Sequence, residues 1–585
     1  MQDLRASQPR DLAIGIFAEE DADGARDFAC MTQQSASASL ACTIGPAEAV
    51  IGPFVLPGRS PCAHCARLRL RANAEWLEPA ATGGDRARAG DAADRVIFEE
   101  QLATAAADGI CLGDHGSPLV DRVLLIDRAT QRTSRHRILG VPGCAACGGP
   151  APPRRAAAAS HGDNTAADLA TLALSWFVDE RTGIVNRIIV DYAAETGLEQ
   201  PITATAITAA APIQTPRPMP VGWGKGNTAA AAVIGAVAEA IERYAGSMPD
   251  RTRITWARPA ELPGAVLDPR EFALYDDAQL ARPGFPFVRF DPEVAHPWIA
   301  GTWAATGAPV WIPAIFAYLA LDLHREQLFC QGGSNGLAAG TEPPEAALRA
   351  ILELLERDAF MTAWRCRRPG RPILLDGTLA SDLDAIVRGL AALGARIELV
   401  LLESAGGYPT VAAMGFGDGE RWPGVTLGLG CDPDARTALR QAIMELGQTG
   451  PYLRRLMQTA PQLIPRRPSD VADILDHARY HFPAERAAAF DFLRAGRDAC
   501  SLADLPGATE RSLAACAGAL AADGVRVALA DLTSADVAAT PFCVMRAVSP
   551  DLESISFGYG LDRMPVPRIA ALGVRMADRD IAPIW

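Results

Sequence analysis

Apolar and polar positions alternate along the chain in a way that predicts two unequal parts. Short apolar runs predict strands in the first 150 residues, at Leu12–Phe17, Ala49–Leu56 and Val123–Ile126. Later runs predict further strands at Arg187–Asp191, Val310–Leu321 and Ile397–Leu402, and helices at Thr228–Tyr244, Glu345–Arg365 and Asp434–Thr449. Residues 72–106, rich in Ala, Arg, Asp and Glu, are typical of helix or loop. Because strands and helices alternate after residue 165, the pattern predicts one large α+β or α/β domain there.

A change of composition marks the boundary between the two parts. Residues 148–163 are rich in Pro, Gly and Ala and lack apolar periodicity, which is typical of a linker. We therefore expect a small N-terminal α/β domain over residues 1–150, a linker over 151–165 and a large α+β domain over 166–585.

Composition narrows the class of protein. Of 585 residues, 49% are hydrophobic and 21% charged, which is the mixture of a globular protein and excludes a disordered or fibrous chain. The net charge of −14 argues against nucleic acid as a partner. The longest small-apolar run, Ala229–Ala238, is far shorter than the ~20 residues that cross a membrane, and no signal peptide is evident. We therefore expect a cytoplasmic protein that does not contact membranes.

Four of the thirteen cysteines form two C-x-x-C pairs, Cys62 with Cys65 and Cys144 with Cys147. Each pair follows a proline-containing turn, and two such pairs complete a tetrahedral Cys₄ zinc site. In a reducing compartment, structural zinc is favoured over redox chemistry or chance pairing of the cysteines. A closed Cys₄ site has no open coordination position, so we expect structural zinc and no catalysis. His64, between two of the cysteines, is expected to be exposed rather than a ligand.

Two predicted helices carry the same E-x-x-E-R pattern, with Glu239 and Glu242 before Arg243, and Glu353 and Glu356 before Arg357. Residues three apart share one helix face, and both helices are otherwise small or apolar. Carboxylates on buried faces repel one another, so four converging carboxylates need divalent metal, for which oxygen ligands favour Mg²⁺. The adjacent arginines suit phosphate. Ordinary surface Glu–Arg pairing is the alternative for a single copy; two copies favour a shared site.

A glycine-rich segment precedes each of these helices, at residues 222–228 and 331–340. Glycine-rich turns that enter a helix N-terminus can present backbone N–H groups to phosphate. The first segment contains Lys225 in Gly-Lys-Gly, which is not a Walker A sequence. Alone, these segments are weak evidence for a nucleotide.

Taken in order, these segments resemble the YcaO family. The resemblance rests on Gly224-Lys225-Gly226, on residues 238–243, on residues 334–340 leading to 353–358, on residues 428–433 leading to 441–448, and on residues 476–480. It covers residues 166–585. It implies an α+β fold that binds ATP through Mg²⁺ held by Glu239, Glu242, Glu353 and Glu356. It further implies nucleotide contacts from Lys225, Arg243, Asn335, Glu345, Arg357, Gln441 and Glu445. The family often has serine where Gly235 stands, so that contact is lost or replaced.

The N-terminal part is similar to the zinc-bearing end of the E1-like, ocin-ThiF-type partner of azoline-forming cyclodehydratases. The similarity rests on residues 52–69 and 136–147. At 150 residues this part is truncated relative to a full partner. Fused proteins of this kind work in thiopeptide and other azole-peptide pathways. The resemblance implies a ribosomal precursor peptide as substrate, a separate leader-binding ocin-ThiF-like protein, a flavin azoline dehydrogenase and a homodimer.

The resemblance thus implies an ATP-dependent cyclodehydratase that converts Cys, Ser or Thr to thiazoline or oxazoline by phosphorylating a backbone amide oxygen. Catalytic candidates are His477, which is either a general base or a buried structural histidine, and Trp585 at the C-terminus. That terminus is either an ordinary frayed end or a tail that reaches the reacting amide. Two alternatives stay open: a YcaO protein that installs a thioamide or amidine, and a non-catalytic scaffold that docks the precursor.

Overall fold

A computed structural model describes residues 12–74, 100, 104, 118–149, 165–192, 197–213, 219–375, 377–574 and 581–583. Its N-terminal part is a five-stranded sheet in the order β1-β2-β3-β4-β5 with two helices. The elements are β1 (Leu12–Ala18), α1 (Ala22–Gln34), β2 (Ala38–Ile44), β3 (Glu48–Val55), α2 (Ala63–Ala74), β4 (Arg122–Asp127) and β5 (Thr133–Arg137). β1 runs parallel to β2, and the other neighbours are antiparallel. The three strands predicted here are confirmed, whereas most of residues 72–106 lie outside the described part.

The second part begins with a three-stranded antiparallel sheet, in the order β6-β7-β8, covered on one face by helices. Its elements are α3 (Ala166–Phe177), β6 (Val185–Asp191), β7 (Ile202–Thr208), β8 (Gly222–Gly226) and α4 (Ala229–Ser247). Of the predicted linker, only Thr165 is described, where its hydroxyl caps α3 by accepting from the Asp168 N–H. The linker therefore stays a prediction.

Two further sheets complete this part. One contains six strands, with β11-β10-β17-β18-β12 in order and β9 beside β10, and the other has the order β13-β14-β15-β16. Between residues 255 and 459 the elements are β9 (Thr255–Ala257), α5 (Asp277–Leu280), β10 (His296–Trp303), β11 (Pro309–Pro313), β12 (Leu337–Gly340), α6 (Pro343–Cys366), β13 (Arg371–Ile373), α7 (Ser381–Ala392), β14 (Arg396–Leu402), β15 (Thr410–Phe416), β16 (Val425–Cys431) and α8 (Ala435–Thr459). After residue 459 the elements are α9 (Ile474–Tyr480), α10 (Asp491–Arg494), α11 (Leu513–Ala522), β17 (Ala528–Asp531), α12 (Ala535–Ala538), β18 (Cys543–Val548) and α13 (Pro567–Leu572).

Three strand–helix units, β8–α4, β12–α6 and β16–α8, repeat one arrangement in which a strand leads directly into a long helix. Glycines let the strand lie against its helix: a Cβ at Gly224 would stand 1.9 Å from the Ala232 carbonyl oxygen. A Cβ at Gly430 would stand 2.2 Å from the Ala438 carbonyl oxygen. The segment predicted as a glycine-rich loop over residues 222–228 is instead a strand over residues 222–226, and its contact with phosphate stays a prediction. These glycines serve close packing of β8 on α4, and β8 is a strand.

Two other predicted elements have different limits in the structure. The strand predicted over Val310–Leu321 ends at Pro313, where a 3-10 turn over Ala314–Phe316 follows. The helix predicted to end at Thr449 continues to Thr459, because Leu453 and Met457 keep an apolar face buried beyond it. Among the described residues, no helix is long and apolar enough to cross a membrane.

Candidate active site

The four paired cysteines come together in the N-terminal part. Their Sγ atoms all lie within 4.8 Å of one another, with separations of 3.7 Å for Cys62–Cys65, 3.7 Å for Cys62–Cys144 and 3.5 Å for Cys65–Cys147. A tetrahedral zinc ion bound at about 2.3 Å from each sulfur would separate the sulfurs by about 3.8 Å. The cluster therefore fits zinc. The backbone N–H groups of Cys65 and Val141 donate to these sulfurs, as they would to thiolates.

His64 does not join this cluster, and it is half-buried rather than exposed. Its burial lowers the pKa of the imidazole, which keeps it neutral at pH 7. This geometry agrees with the expectation that His64 is not a ligand. The expectation that His64 is exposed is wrong, because neighbouring residues cover part of the ring.

The glutamate pair on α4 is held by two different strands. Glu239 accepts a hydrogen bond from the Trp223 backbone N–H at 2.6 Å and pairs with Arg243. Glu242 accepts from the Ala339 N–H of β12 at 2.8 Å. The Glu242 carboxylate is mostly buried, which raises its pKa to about 8, and repulsion from Glu239 and Glu353 raises it further.

The pair on α6 faces the same region. Glu353 accepts from the Gly336 N–H at 3.0 Å, and burial raises its pKa. Glu356 pairs with Arg357 at 2.9 Å. Burial raises the pKa of Glu356 to about 7. The positive charge of Arg357 acts to lower this pKa, whereas repulsion from Glu445 and Glu353 acts to raise it. The two E-x-x-E pairs, 114 residues apart, thus meet in one acidic cluster.

The third helix of the repeat, α8, closes this cluster from another side. Glu445 pairs with Lys225 of β8 at 3.4 Å, and Gln448 donates to the Gly224 carbonyl oxygen at 3.1 Å. Gln441 lies on the same helix, against Gly430 of β16. The sequence predicted Lys225 and Glu445 as separate nucleotide contacts and did not predict that they pair. It also did not predict the hydrogen bond from Gln448 to β8. The available signal was that Gln448 stands three residues after Glu445, as in an E-x-x-E pair.

Two other predicted nucleotide residues lie at the edge of the cluster. Glu345, in the first turn of α6, pairs with Arg349 and keeps 43% of its side chain exposed. Asn335 lies in the glycine-containing segment that precedes β12, next to the Gly336 that donates to Glu353. Both residues stay predictions as nucleotide contacts.

A buried arginine that the sequence reading missed supports this glycine-containing segment. Arg546 of β18 donates from Nε to the Phe316 carbonyl oxygen and from Nη2 to the Gly333 carbonyl oxygen, both at 2.9 Å. Burial lowers its pKa to about 10, while the field of Glu353 opposes this shift. Its signal in the sequence was a lone arginine within the apolar strand Cys543–Val548.

The cluster fits divalent cations and phosphates better than it fits a closed metal cage. Within the part of the chain that the structure describes, only the four cysteines bring three or more such ligand atoms within 4.8 Å of one another. The carboxylates are therefore too far apart to surround one ion without other ligands. Mg²⁺ accepts such an arrangement, because it keeps waters and phosphate oxygens beside one or two carboxylates. The buried Arg357 Nε has no partner among protein atoms, which leaves a donor for an anion.

The catalytic candidate His477 contacts the C-terminal residues that the structure describes. His477 Nδ1 donates to the Ala582 carbonyl oxygen at 2.9 Å, and its Nε2 accepts from the Gly558 N–H at 3.0 Å. His481, the residue directly after α9, donates to the Ile581 carbonyl oxygen at 2.7 Å. Burial lowers the pKa of both imidazoles, that of His481 to about 3. Both histidines thus hold residues 581–583, while Trp585 lies outside the described residues.

Comparisons with known proteins agree with this geometry. A sequence model of the family described as "YcaO cyclodehydratase, ATP-ad Mg2+-binding" matches residues 223–553, more than half of the chain. An uncharacterized protein of Methanothermobacter thermautotrophicus is 28% identical over 229 residues, 39% of this chain and 56% of its own. An "uncharacterized protein in tfuA 3'region" of Rhizobium leguminosarum bv. trifolii is 29% identical over 238 residues, 39% of this chain and 54% of its own. The match thus spans about half the length of these curated relatives.

Two solved structures share the fold over nearly the whole chain. One, titled "Heterocyclase in complex with substrate and Cofactor", has a TM-score of 0.72 at 19% identity and covers 97% of this chain and 80% of its own. The other, "Structure of the heterocyclase TruD", has a TM-score of 0.63 at 16% identity and covers 96% of this chain and 82% of its own. At such identities the likeness concerns the fold alone. Together with the family match over the residues that form the acidic cluster, it shows that this chain belongs to the YcaO family of ATP- and Mg²⁺-binding cyclodehydratases.

Proposed function

We propose that the protein is an ATP-dependent cyclodehydratase that converts Cys, or Ser and Thr, of a ribosomal precursor peptide to thiazoline or oxazoline. The observation that carries this proposal is the acidic cluster itself, in which Glu239, Glu242, Glu353, Glu356 and Glu445 come from three helices. The Glu242 and Glu356 carboxylates, whose pKa values burial raises, would be stabilised in the charged form by a divalent metal. Polyphosphate-bound Mg²⁺ is such a metal.

In the proposed reaction, the Cys, Ser or Thr side chain attacks the carbon of the preceding amide and loses its proton. The resulting oxygen takes the γ-phosphoryl group of ATP, ADP leaves, and phosphate is then expelled as the ring C=N bond forms. Mg²⁺ supplies charge neutralisation for the phosphates in such transfers. Lys225, Arg243 and Arg357 line the cluster and would bind phosphate oxygens, Arg357 with its unpartnered Nε.

Residues 581–583 lead towards this reaction centre in the proposal. Ala582 packs against a buried cluster that includes Ala359 and Phe360, the first turn of α6 beyond Glu356. His477 has both ring nitrogens engaged, so we assign it to positioning of the tail rather than to proton transfer. The general base is then sought in the tail, of which Trp585 is the last residue.

The N-terminal part is proposed to be a truncated E1-like domain with one structural zinc, which works beside a separate leader-binding protein and a flavin azoline dehydrogenase. A homodimer is proposed as the working unit. The cysteine geometry and the buried contact of Arg69 with Asp536, which joins α2 to α12, support a domain that stays docked on the YcaO part.

The proposal is tested by incubating the protein with the short Cys/Ser/Thr-rich peptide encoded beside its gene, together with the neighbouring leader-binding protein. We expect peptide-dependent release of ADP and phosphate, and loss of one water mass per ring. Gain of sulfur in place of oxygen would instead identify a thioamide-forming enzyme, and gain of an amine an amidine-forming one. Peptide binding without any ATP turnover would contradict the proposal and favour the alternative of a non-catalytic scaffold.

A further inference from the structure

The sheet β6-β7-β8 packs one face against α4 and keeps large side chains exposed on the other. Its inner face packs small residues such as Ala204, Ala206 and Gly224 against α4. On the outer face, the strand register places Ile189 opposite Thr205 and Thr205 opposite Trp223. Residues directly opposite share a face, so these three form one row across the sheet. A second row, Asp191, Thr203 and Lys225, runs beside it.

This outer face leaves large apolar side chains in water. Trp223 and Ile189 each keep 49% of their surface exposed, and Tyr192, directly after β6, keeps 64%. Single exposed apolar residues are ordinary, whereas a tryptophan and an isoleucine in one row mark a surface that takes a partner. Tryptophan at such a position is typical of an anchor that dominates binding.

The outer face is continuous with the acidic cluster through β8. The Trp223 backbone N–H donates to Glu239, while its side chain lies on the outer face. Lys225, two residues later and on the same face, reaches Glu445. The two rows therefore begin at the proposed phosphoryl-transfer site and extend about 10 Å away from it, across two strand spacings.

The size of the face limits what can occupy it. Strands of seven, seven and five residues span about 23 Å by about 14 Å, roughly 330 Å². A stable dimer needs about 800 Å² from each partner, so this face is too small to hold a second copy by itself. A few residues of an extended peptide fit it, with Thr203, Thr205 and the exposed Arg187 beside the apolar side chains.

We propose that this outer face binds the residues that flank the reacting Cys, Ser or Thr of the peptide substrate, with Trp223 as the anchor for an apolar side chain. The inference rests on the proposed function, because it takes the substrate to be a peptide. It makes Trp223 a specificity-determining residue that sets which sequences around the ring-forming position are accepted.

The test measures peptide binding rather than ATP turnover. An immobilised library of synthetic peptides, each with a central Cys and otherwise randomised, is incubated without ATP with wild type and with Trp223→Ala. We expect wild type to retain peptides with an apolar residue at a fixed offset from Cys, and Trp223→Ala to retain those about tenfold less. The backbone N–H that holds Glu239 remains in this variant. Trp256→Ala, which removes a tryptophan that is 51% exposed on β9, is the matched control and should retain them like wild type.

Four outcomes would overturn the inference. Equal retention by Trp223→Ala and wild type, or no positional preference in wild type, would show that the face does not read the peptide. A weaker affinity of Trp223→Ala for Mg–ADP, with unchanged peptide retention, would assign the tryptophan to the nucleotide. A lower solution mass of Trp223→Ala by light scattering would assign the face to self-association. Loss of ATP turnover in Glu356→Gln, with peptide retention intact, separates this test from that of the proposed function.

Discussion

At the residue scale, the acidic cluster is defined by what burial does to single carboxylates. Glu242 and Glu356 lie on apolar helices and have pKa values raised to about 8 and about 7, because the charged forms are desolvated and repel one another. Their hydrogen bonds come from backbone N–H groups or from a neighbouring arginine. Such side chains cost stability in the folded chain, and that cost is compensated when cations bind.

The glutamate variants Glu239→Gln and Glu356→Gln should abolish ATP turnover without loss of stability. Neutral amides keep the shape of the side chains but remove the charge that Mg²⁺ needs and that burial penalises. Turnover is measured by phosphate release and stability by thermal melting, with the exposed Glu261→Gln as a control that should leave both unchanged. Wild-type ATP turnover in either variant would contradict the nucleotide-site assignment.

At the element scale, two short segments are fixed by a few contacts each. The C-x-x-C turns are tied to each other by sulfurs 3.5 to 3.7 Å apart. Ala582 and Ile581 accept hydrogen bonds from His477 of α9 and from His481 directly after that helix. Each segment depends on a local set of ligands or donors, so single substitutions should release it.

The zinc site gives the first prediction at this scale. Cys65→Ser or Cys147→Ser should lose the metal and lower the melting temperature of the protein, because a structural zinc contributes folding free energy directly. About one zinc per chain is expected in wild type if all four thiolates share one ion. Cys500→Ser, which changes a buried cysteine outside the cluster, controls for loss of a thiol and should keep the zinc. Metal analysis that finds no zinc in freshly purified wild type would refute the site.

The C-terminal segment gives the second prediction at this scale. Deletion of residues 583–585 should reduce cyclisation sharply while ATP binding is preserved, and His477→Ala should do the same more weakly, because it removes the donor that holds Ala582. Cyclisation is followed by mass spectrometry and nucleotide binding by calorimetry. If both variants cyclise peptide like wild type, the tail is an ordinary terminus and the base lies elsewhere.

At the scale of the whole molecule, a buried ion pair joins the N-terminal part to the rest. Arg69 of α2 donates to the Asp536 carboxylate at 2.5 Å, and Tyr244 of α4 donates to the same oxygen at 2.6 Å. All three side chains are almost completely buried. Tyr244 follows Glu242 and Arg243 in the chain, so the contact connects the N-terminal part to the helix of the acidic cluster.

This ion pair leads to a stability prediction. Arg69→Met should destabilise the protein by about 3–5 kcal/mol, because it leaves the Asp536 carboxylate buried without its cation. The double variant Arg69→Met with Asp536→Leu should recover much of that loss, since both charges are then absent. Urea denaturation of the two variants and wild type measures the free energies. Equal stability of Arg69→Met and wild type would show that the contact does not hold the two parts together.

Much of the local structure followed from sequence. The helices α4 and α6 were predicted because apolar periodicity is a short-range pattern, and the i, i+3 spacing placed Glu239 with Glu242 and Glu353 with Glu356 on common faces. The C-x-x-C spacing likewise predicted two turns whose sulfurs meet. The spacing within each pair depends on residues a few positions apart, for which helix and turn geometry are known in advance, whereas the meeting of Cys62 with Cys144 joins positions 82 residues apart.

Other features were decided only by the tertiary structure. That residues 222–226 form a strand depends on α4 lying against them, since glycine has no strand preference of its own. The pairing of Lys225 with Glu445 joins positions 220 residues apart, and that of Arg69 with Asp536 joins positions 467 apart. The pKa shifts follow from the burial that these distant contacts create. Sequence by itself determined which side chains share an element, and the packing of elements determined which of them meet, because contact and desolvation depend on the neighbours brought in from the rest of the chain.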